Sequence, residues 1–294
     1  MAYRRTSRTL YTGAYFKRHV GFASEGPDAI YQINLNAGLP NASVFLELDT
    51  LFGPNTAGPN CHDTTNYDTD YISPCSGGAP LNSWDAVGKI GLGNIEIIED
   101  LNTPTNDTLY VINLFDRQLY KVSIANTAAT TRFALPTALP GANQGCNTAD
   151  VRPGAVSARN GLLYVGLVCS AQTSQLVSDL RAYVYSFNPA TNAFSAAPVL
   201  EFTLNYSRGC AGDTAGTCSA DRSANWLPWA TTFTSRALQT NPASTDTTVV
   251  YAQPMLTDLV FDKDGSMVLA FRDRAGDQVG NQNLSRPSST SRLK

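Results

Sequence analysis

Stacked against one another, the apolar runs of this chain form an internal repeat. Residues 9–15, 109–114, 163–168 and 267–271 are rich in β-branched and aromatic side chains, and each ends in turn residues. That combination marks a strand. Three of these runs are followed by a second one, at 29–34, 118–122 and 182–187, and three are preceded by one, at 93–98, 154–157 and 256–261. A fourth run closes two units, at 44–48 and 199–204. Four antiparallel strands in the order A-B-C-D make a β-propeller blade, so an all-β propeller is the expected fold. The B runs begin at 10, 109, 163 and 267, with spacings of 99, 54 and 104. A bare blade takes about 40–50 residues, so the two long spacings imply insertions or degenerate blades. The expected units are about 1–51, 88–134, 152–204 and 254–278. The first is expected to lack its A strand and the last to stop after B, which makes the propeller incomplete at both ends. The Asn/Ser/Arg-rich tail, 279–294, is expected to be disordered.

In a propeller the B–C and D–A connections emerge on one face and the hairpins A–B and C–D on the other. Here the long connections are B–C (18–28 and 169–180) and D–A (52–87, 135–151 and 204–254). All six cysteines, Cys61, Cys75, Cys146, Cys169, Cys210 and Cys218, fall in or at the edge of those segments. Insertions gathered on one face often mark a binding face. An even cysteine count without C-x-x-C favours disulfides and an oxidising compartment over zinc. Six cysteines allow 15 pairings, of which the local one joins neighbours along the chain. The opening MAYRRTSRTLYTGAY carries no apolar segment of a secretory signal, so a signal is expected upstream of this segment.

Composition narrows the partners. Only 15% of the residues are charged against 43% hydrophobic, while ordinary domains run near 25% charged. Thr, Asn and Ser, about a quarter of the chain, must cover the surface. A net charge of −3 without Lys/Arg clusters argues against nucleic acid. No run of about 18 apolar residues exists, so no membrane span is expected.

The candidate site residues are few. Charged residues recur where B strands end and C strands begin: Lys17-Arg18-His19, Asp116-Arg117, Arg181 and Arg272-Asp273-Arg274. They form either a ligand-binding ring or Arg–Asp ties between loops, and ties are the expectation. Trp226 and Trp229 sit in a long D–A insertion, where they either stack on a sugar or partner or cover a small apolar cluster. Cover is the expectation. Asn94, Glu96 and Asp258 lie on expected innermost strands, where oxygen ligands could hold Ca2+, as in lactonase-type propeller hydrolases. The stretch Asp262-Lys263-Asp264-Gly265 begins like a calcium loop but lacks its later acceptors, and reads as a hairpin turn. No G-x-S-x-G, P-loop or G-x-G-x-x-G occurs, and His19 and His62 are the only histidines.

Residues 15–19, 28–33, 109–120, 181–185 and 271–278 together resemble a propeller-like region of large bacterial secreted or surface proteins. Those proteins also carry SdrD B-like (Cna-B type) or similar immunoglobulin-like modules. The resemblance covers most of residues 1–278 through several short motifs, and implies a secreted or surface-attached protein with no established catalytic residues. The resulting expectation is a non-enzymatic, extracellular propeller segment with no cofactor. It would bind a protein or glycan at the cell surface through its disulfide-stapled face. A Ca2+-dependent propeller hydrolase is the alternative. A third reading is a structural subunit that self-associates through exposed strand edges.

Overall fold

The computed structural model describes residues 1–18, 20–36, 41–62, 74–75, 81–140, 146–206, 208, 225–231 and 252–279. The chain is mostly β, arranged as small antiparallel sheets that follow one another in sequence. The first contains β1 (Ala2–Arg4), β2 (Thr9–Gly13), β3 (Ala29–Asn34) and β4 (Asn41–Glu47). The second contains β5 (Leu92–Ile98), β6 (Thr108–Asn113), β7 (Gln118–Ser123) and β8 (Thr131–Ala134). The third contains β9 (Val151–Arg159), β10 (Leu162–Cys169) and β11 (Arg181–Asn188), with β12 (Ala193–Phe194) and β13 (Leu200–Thr203) both paired to β11. A two-stranded hairpin, β14 (Pro254–Phe261) and β15 (Met267–Asp273), is the last. Three short helices join them: α1 (Asp49–Phe52), α2 (Ser83–Ala86) and α3 (Arg274–Val279).

Two strands differ from expectation. The first sheet does have an inner strand: β1 pairs Ala2 with Tyr11 and Arg4 with Thr9. Three residues running into Arg4 and Arg5 are too short and too charged to read as a strand. The second sheet is closed by β8, whose sequence TRFA holds one large apolar residue. Among the described residues the last sheet is the pair β14 and β15, after which the chain turns into α3.

The sheets pack face to face in chain order, with β1 and β2 on β5, β5 on β9, and β9 on β14. An apolar layer fills each gap. Tyr11, Ile30 and Leu46 meet Ile95, Leu109 and Val111 between the first two sheets. Ile112 and Leu119 meet Val165, Tyr183 and Phe187 between the second and third. Val168, Ala182 and Val184 meet Leu256 and Leu259 between the third and fourth. The middle sheets are therefore buried on both faces, and β6 is apolar almost throughout instead of alternating. The last sheet buries one face only, leaving Val260 and Val268 about half exposed. Gly154 lets the inner strands approach, because a Cβ there would stand 2.3 Å from the Leu256 carbonyl oxygen.

The expected division between hairpins and long connections is seen in the backbone. The stretch from Asp262 to Gly265 is the β14–β15 turn, with Gly265 at φ +99° and the Ser266 amide donating to the Asp264 carboxylate. At the opposite end, where β5, β9 and β14 begin, lie the disulfides Cys61–Cys75 and Cys146–Cys169. The first packs with Phe16, Val87 and Ile90 beside the start of β5. The second fastens the end of β10, where Cys169 pairs with Val151. Both pairings are the local ones. Cys210, Cys218 and the tail beyond residue 279 lie outside the described residues. Two disulfides fit an oxidising environment. Among the described residues no helix is long and apolar enough to cross a membrane.

Candidate functional site

The end of the molecule that carries the disulfides also carries a buried ionic cluster. Asn82 caps α2 by accepting the Asp85 amide at 2.8 Å, a favoured N-cap arrangement. The turn so formed turns Trp84 and Asp85 inward, and both are buried. Arg274 enters from the start of α3 and is fully buried. Its guanidinium donates to the carbonyls of Val87 at 2.8 Å, Asp85 at 2.9 Å and Ala230 at 3.1 Å. It also donates to Gln253 Oε1 at 2.9 Å and Asp85 Oδ1 at 3.1 Å, and stacks 4.2 Å from the Trp229 ring. One side chain thus ties two long connections, β4–β5 and β13–β14, to the start of α3.

Asp85 is the hub of this cluster. Lys89 Nζ donates to both of its oxygens, at 2.7 and 2.8 Å, and Gln172 donates at 2.9 Å. Burial pushes the Asp85 carboxyl up, but Lys89 and Arg274 outweigh it and hold it below the usual carboxylate range. Lys89 is shifted the other way, down to about 7, by burial and by the nearby Arg152 and Arg274 cations, against the pull of Asp85. Arg152 completes the group. It lies 5.5 Å from the Trp229 ring and donates to Gln172 Oε1 at 3.2 Å, with burial and Arg274 lowering it to about 10.

Beside the cluster is a cavity of about 230 Å³ to which all four sheets or their loops contribute, including Tyr15, Leu92, Leu114, Arg152, Trp229 and Met255. Tyr15 donates its hydroxyl to Asp277 at 3.2 Å, and burial raises its pKa with Asp277 adding to the effect. Asp277 also pairs with Arg272 at 2.6 Å and Lys17 at 3.7 Å. These contacts tie the β2–β3 connection to α3.

The residues expected at a binding ring have partners within the fold. Arg18 is buried and donates to the Gln278 carbonyl at 3.2 Å. Asp116 accepts from the Tyr120 hydroxyl at 2.5 Å and the Gln118 amide at 3.1 Å. Arg117 donates to the Thr148 carbonyl, and Arg181 pairs with Glu201 at 2.5 Å between β11 and β13. Asp273 accepts the amides of Gln253 and Ala275, each at 3.0 Å. Trp226 and Trp229 are both buried, Trp226 beside Phe271 and Trp229 with its Nε1 donating to the Pro254 carbonyl at 2.9 Å. His62 is packed 4.4 Å from the Phe16 ring, and His19 lies outside the described residues.

The three residues considered for calcium are drawn toward the main chain. Asn94 Nδ2 donates to Asp258 Oδ1 at 2.8 Å, so these two do meet across β5 and β14. Glu96 instead accepts the amides of Ile97 at 2.8 Å and Ala158 at 3.1 Å. Burial raises its carboxyl. Among the described residues no group of three His, Cys, Asp or Glu side chains is placed to hold a metal.

The same end presents apolar side chains to solvent that sequence reading did not single out. Val20 is 58% exposed on the β2–β3 connection and Phe115 38% on β6–β7, with Leu176 at 55% and Val177 at 39% on β10–β11. All four sit on successive B–C loops, and an apolar residue inside such a polar connection is the signal that would have found them.

Sheets and site together define a mostly β, disulfide-bonded module with an elaborated loop end. No family model matches the chain. It is similar to colossin-C of Dictyostelium discoideum, 30% identical over 271 residues, which covers 91% of this chain and 22% of that protein. Colossin-A of the same organism is 27% identical over 288 residues, covering 95% of the chain and 2% of that protein. Colossin-D is 23% identical over 279 residues, covering 93% and 24%. The similarity is distant, and the chain spans a quarter or less of each relative.

Proposed function

We propose that this chain is an extracellular, non-enzymatic β-propeller segment that binds a protein or glycan partner through its loop end, in adhesion or protein–protein interaction. The observation that carries the reading is the exposure of Val20, Phe115, Leu176 and Val177 on the corresponding connections of three successive sheets. Exposed apolar side chains recurring at one end of a scaffold are candidates for an interaction surface, and the hydrogen bonds of Arg18 and Arg117 help hold the loops in place. Support for the propeller comes from the repeated meander and from inner strands that pack against each other in chain order. The two disulfides support an extracellular setting, and similarity to slices of much longer proteins supports a module.

The test is binding of the full chain to arrays of cell-surface glycans and proteins in chelator, with Phe115→Asp and the pair Leu176→Asp/Val177→Asp alongside. The expected result is capture that these variants abolish while their melting temperatures stay at the wild-type value. Capture unaffected by all of them would refute the assignment of the face. A second reading, self-association through the last sheet, rests on the half-exposed Val260 and Val268. Light scattering decides it, since a concentration-independent monomer removes it.

A further inference from the structure

The cavity at the loop end is lined by the Arg152 guanidinium, which among the described residues makes no ion pair at contact distance, although Asp85 and Asp150 lie near enough to act on it. Its Nη2 donates to Gln172 Oε1 at 3.2 Å and its Nη1 to the Val151 carbonyl at 3.4 Å. Its Nε is closed off from solvent and has no hydrogen-bond partner. A buried cationic donor left unmatched is costly, and the neighbouring carboxylates are already engaged. Asp85 is held by Lys89 and Arg274, and Asp277 by Arg272 and Lys17. Asp150 accepts the main-chain amide and the hydroxyl of Thr173.

Arg152 therefore presents to the cavity a cation held by no carboxylate at contact distance, while Leu92, Leu114 and Met255 give it apolar walls. A guanidinium matches a planar carboxylate through parallel N–H donors, and a short hydrocarbon body matches the walls. We propose that this cavity binds a small organic carboxylate, with its oxyanion on Arg152 and its apolar body against Leu92, Leu114 and Met255. This site is separate from the exposed loop rim and does not depend on adhesion.

The experiment titrates the full chain with benzoate and isovalerate and with their neutral amides, read by tryptophan fluorescence and by melting temperature. At least one acid is expected to bind saturably and about tenfold or more tighter than its amide, the scale of one charge-assisted hydrogen bond. Arg152→Gln is expected to lose that preference while keeping the fold. Equal binding of acid and amide, saturable binding of neither, or an unchanged preference in Arg152→Gln overturns the proposal. The comparison of acid with amide on the wild-type chain decides it even where the variant does not fold.

Discussion

Replacing Arg274 by Met removes a side chain that joins two long connections to α3 while roughly preserving its length. In the wild type the guanidinium satisfies the main-chain carbonyls of Val87, Asp85 and Ala230 and pairs with the Asp85 carboxylate. All of these are buried, so water does not replace the lost donors. A buried polar group left unsatisfied costs about 1–3 kcal/mol, and three carbonyls at the low end already give about 3 kcal/mol. Breaking a buried ion pair on one side costs about 3–5 kcal/mol, which agrees. The expected loss is therefore about 3–5 kcal/mol, a large share of the 5–15 kcal/mol typical of a folded domain.

The assay is urea unfolding followed by tryptophan fluorescence and far-UV circular dichroism, where the midpoint should fall at an unchanged slope. Arg272→Met is the internal control. That side chain also pairs with an aspartate, Asp277, but is 46% exposed, so its loss is expected to cost less than about 1 kcal/mol. An Arg274→Met variant no less stable than Arg272→Met would refute the reasoning. A cycle with Asp85→Asn should show coupling, since the two residues share one network.

Other expectations follow from single features. Cys146→Ala/Cys169→Ala opens a loop closed over a sequence separation of 23, which chain entropy values at about 3.4 kcal/mol; a reductant should lower the wild-type melting temperature but leave any Cys146–Cys169 contribution absent in the variant. Gly154→Val drives a side chain into the Leu256 carbonyl, where a Cβ would stand at 2.3 Å, and should cost at least about 1–3 kcal/mol by urea titration. Gly276→Ala meets nothing within 4 Å and should be neutral or mildly stabilising. Burial between Phe16 and Phe22 lowers the His62 pKa from its ordinary 6.5, so the unfolded chain binds this proton first. The His62 contribution is then complete above pH 6.5 and is lost as pH falls from there through the lowered folded value. The difference in melting temperature between wild type and His62→Phe should shift over that interval, and a constant difference would contradict the assignment.

Much of the sheet structure was legible because its strands are long, β-branched and bounded by turns. The runs at 109–114 and 163–168 became β6 and β10, and two disulfides follow the local pairing, the simplest of the 15 that the sequence allows. What escaped was short or depended on partners far along the chain. β1 has three residues and becomes a strand only by pairing with β2. In the triplet Arg272-Asp273-Arg274 the three charges look alike in sequence, yet only Arg274 is fully buried. Its partners lie at 85–87, 230 and 253, and no local pattern announces them. Lys89 and Arg152 were invisible for the same reason, as single cations, one between α2 and β5 and the other at the start of β9.

The low charge content acquires a physical meaning once burial is known. Arg18, Asp28, Asp85, Asp107, Asp150, Arg274 and Asp277 are all buried, so a chain with only 15% charged residues spends many of them on internal ties. Long loops close at modest entropic cost, but they need internal contacts to hold one conformation, and here charged side chains supply many of those contacts. The remaining charges share the exterior with Thr, Asn, Ser and the exposed Val20, Phe115, Leu176 and Val177. Association through such a rim gains from apolar burial and little from long-range attraction. Salt screens exposed charges over about 8–10 Å but does not weaken apolar contact. Partner affinity at the rim should therefore change little between low salt and several hundred millimolar, whereas carboxylate affinity in the Arg152 cavity should fall if the site remains open to ions. A rim affinity that collapses with salt would mean that the contacts are ionic, and the exposed apolar residues would then not be what the partner recognises.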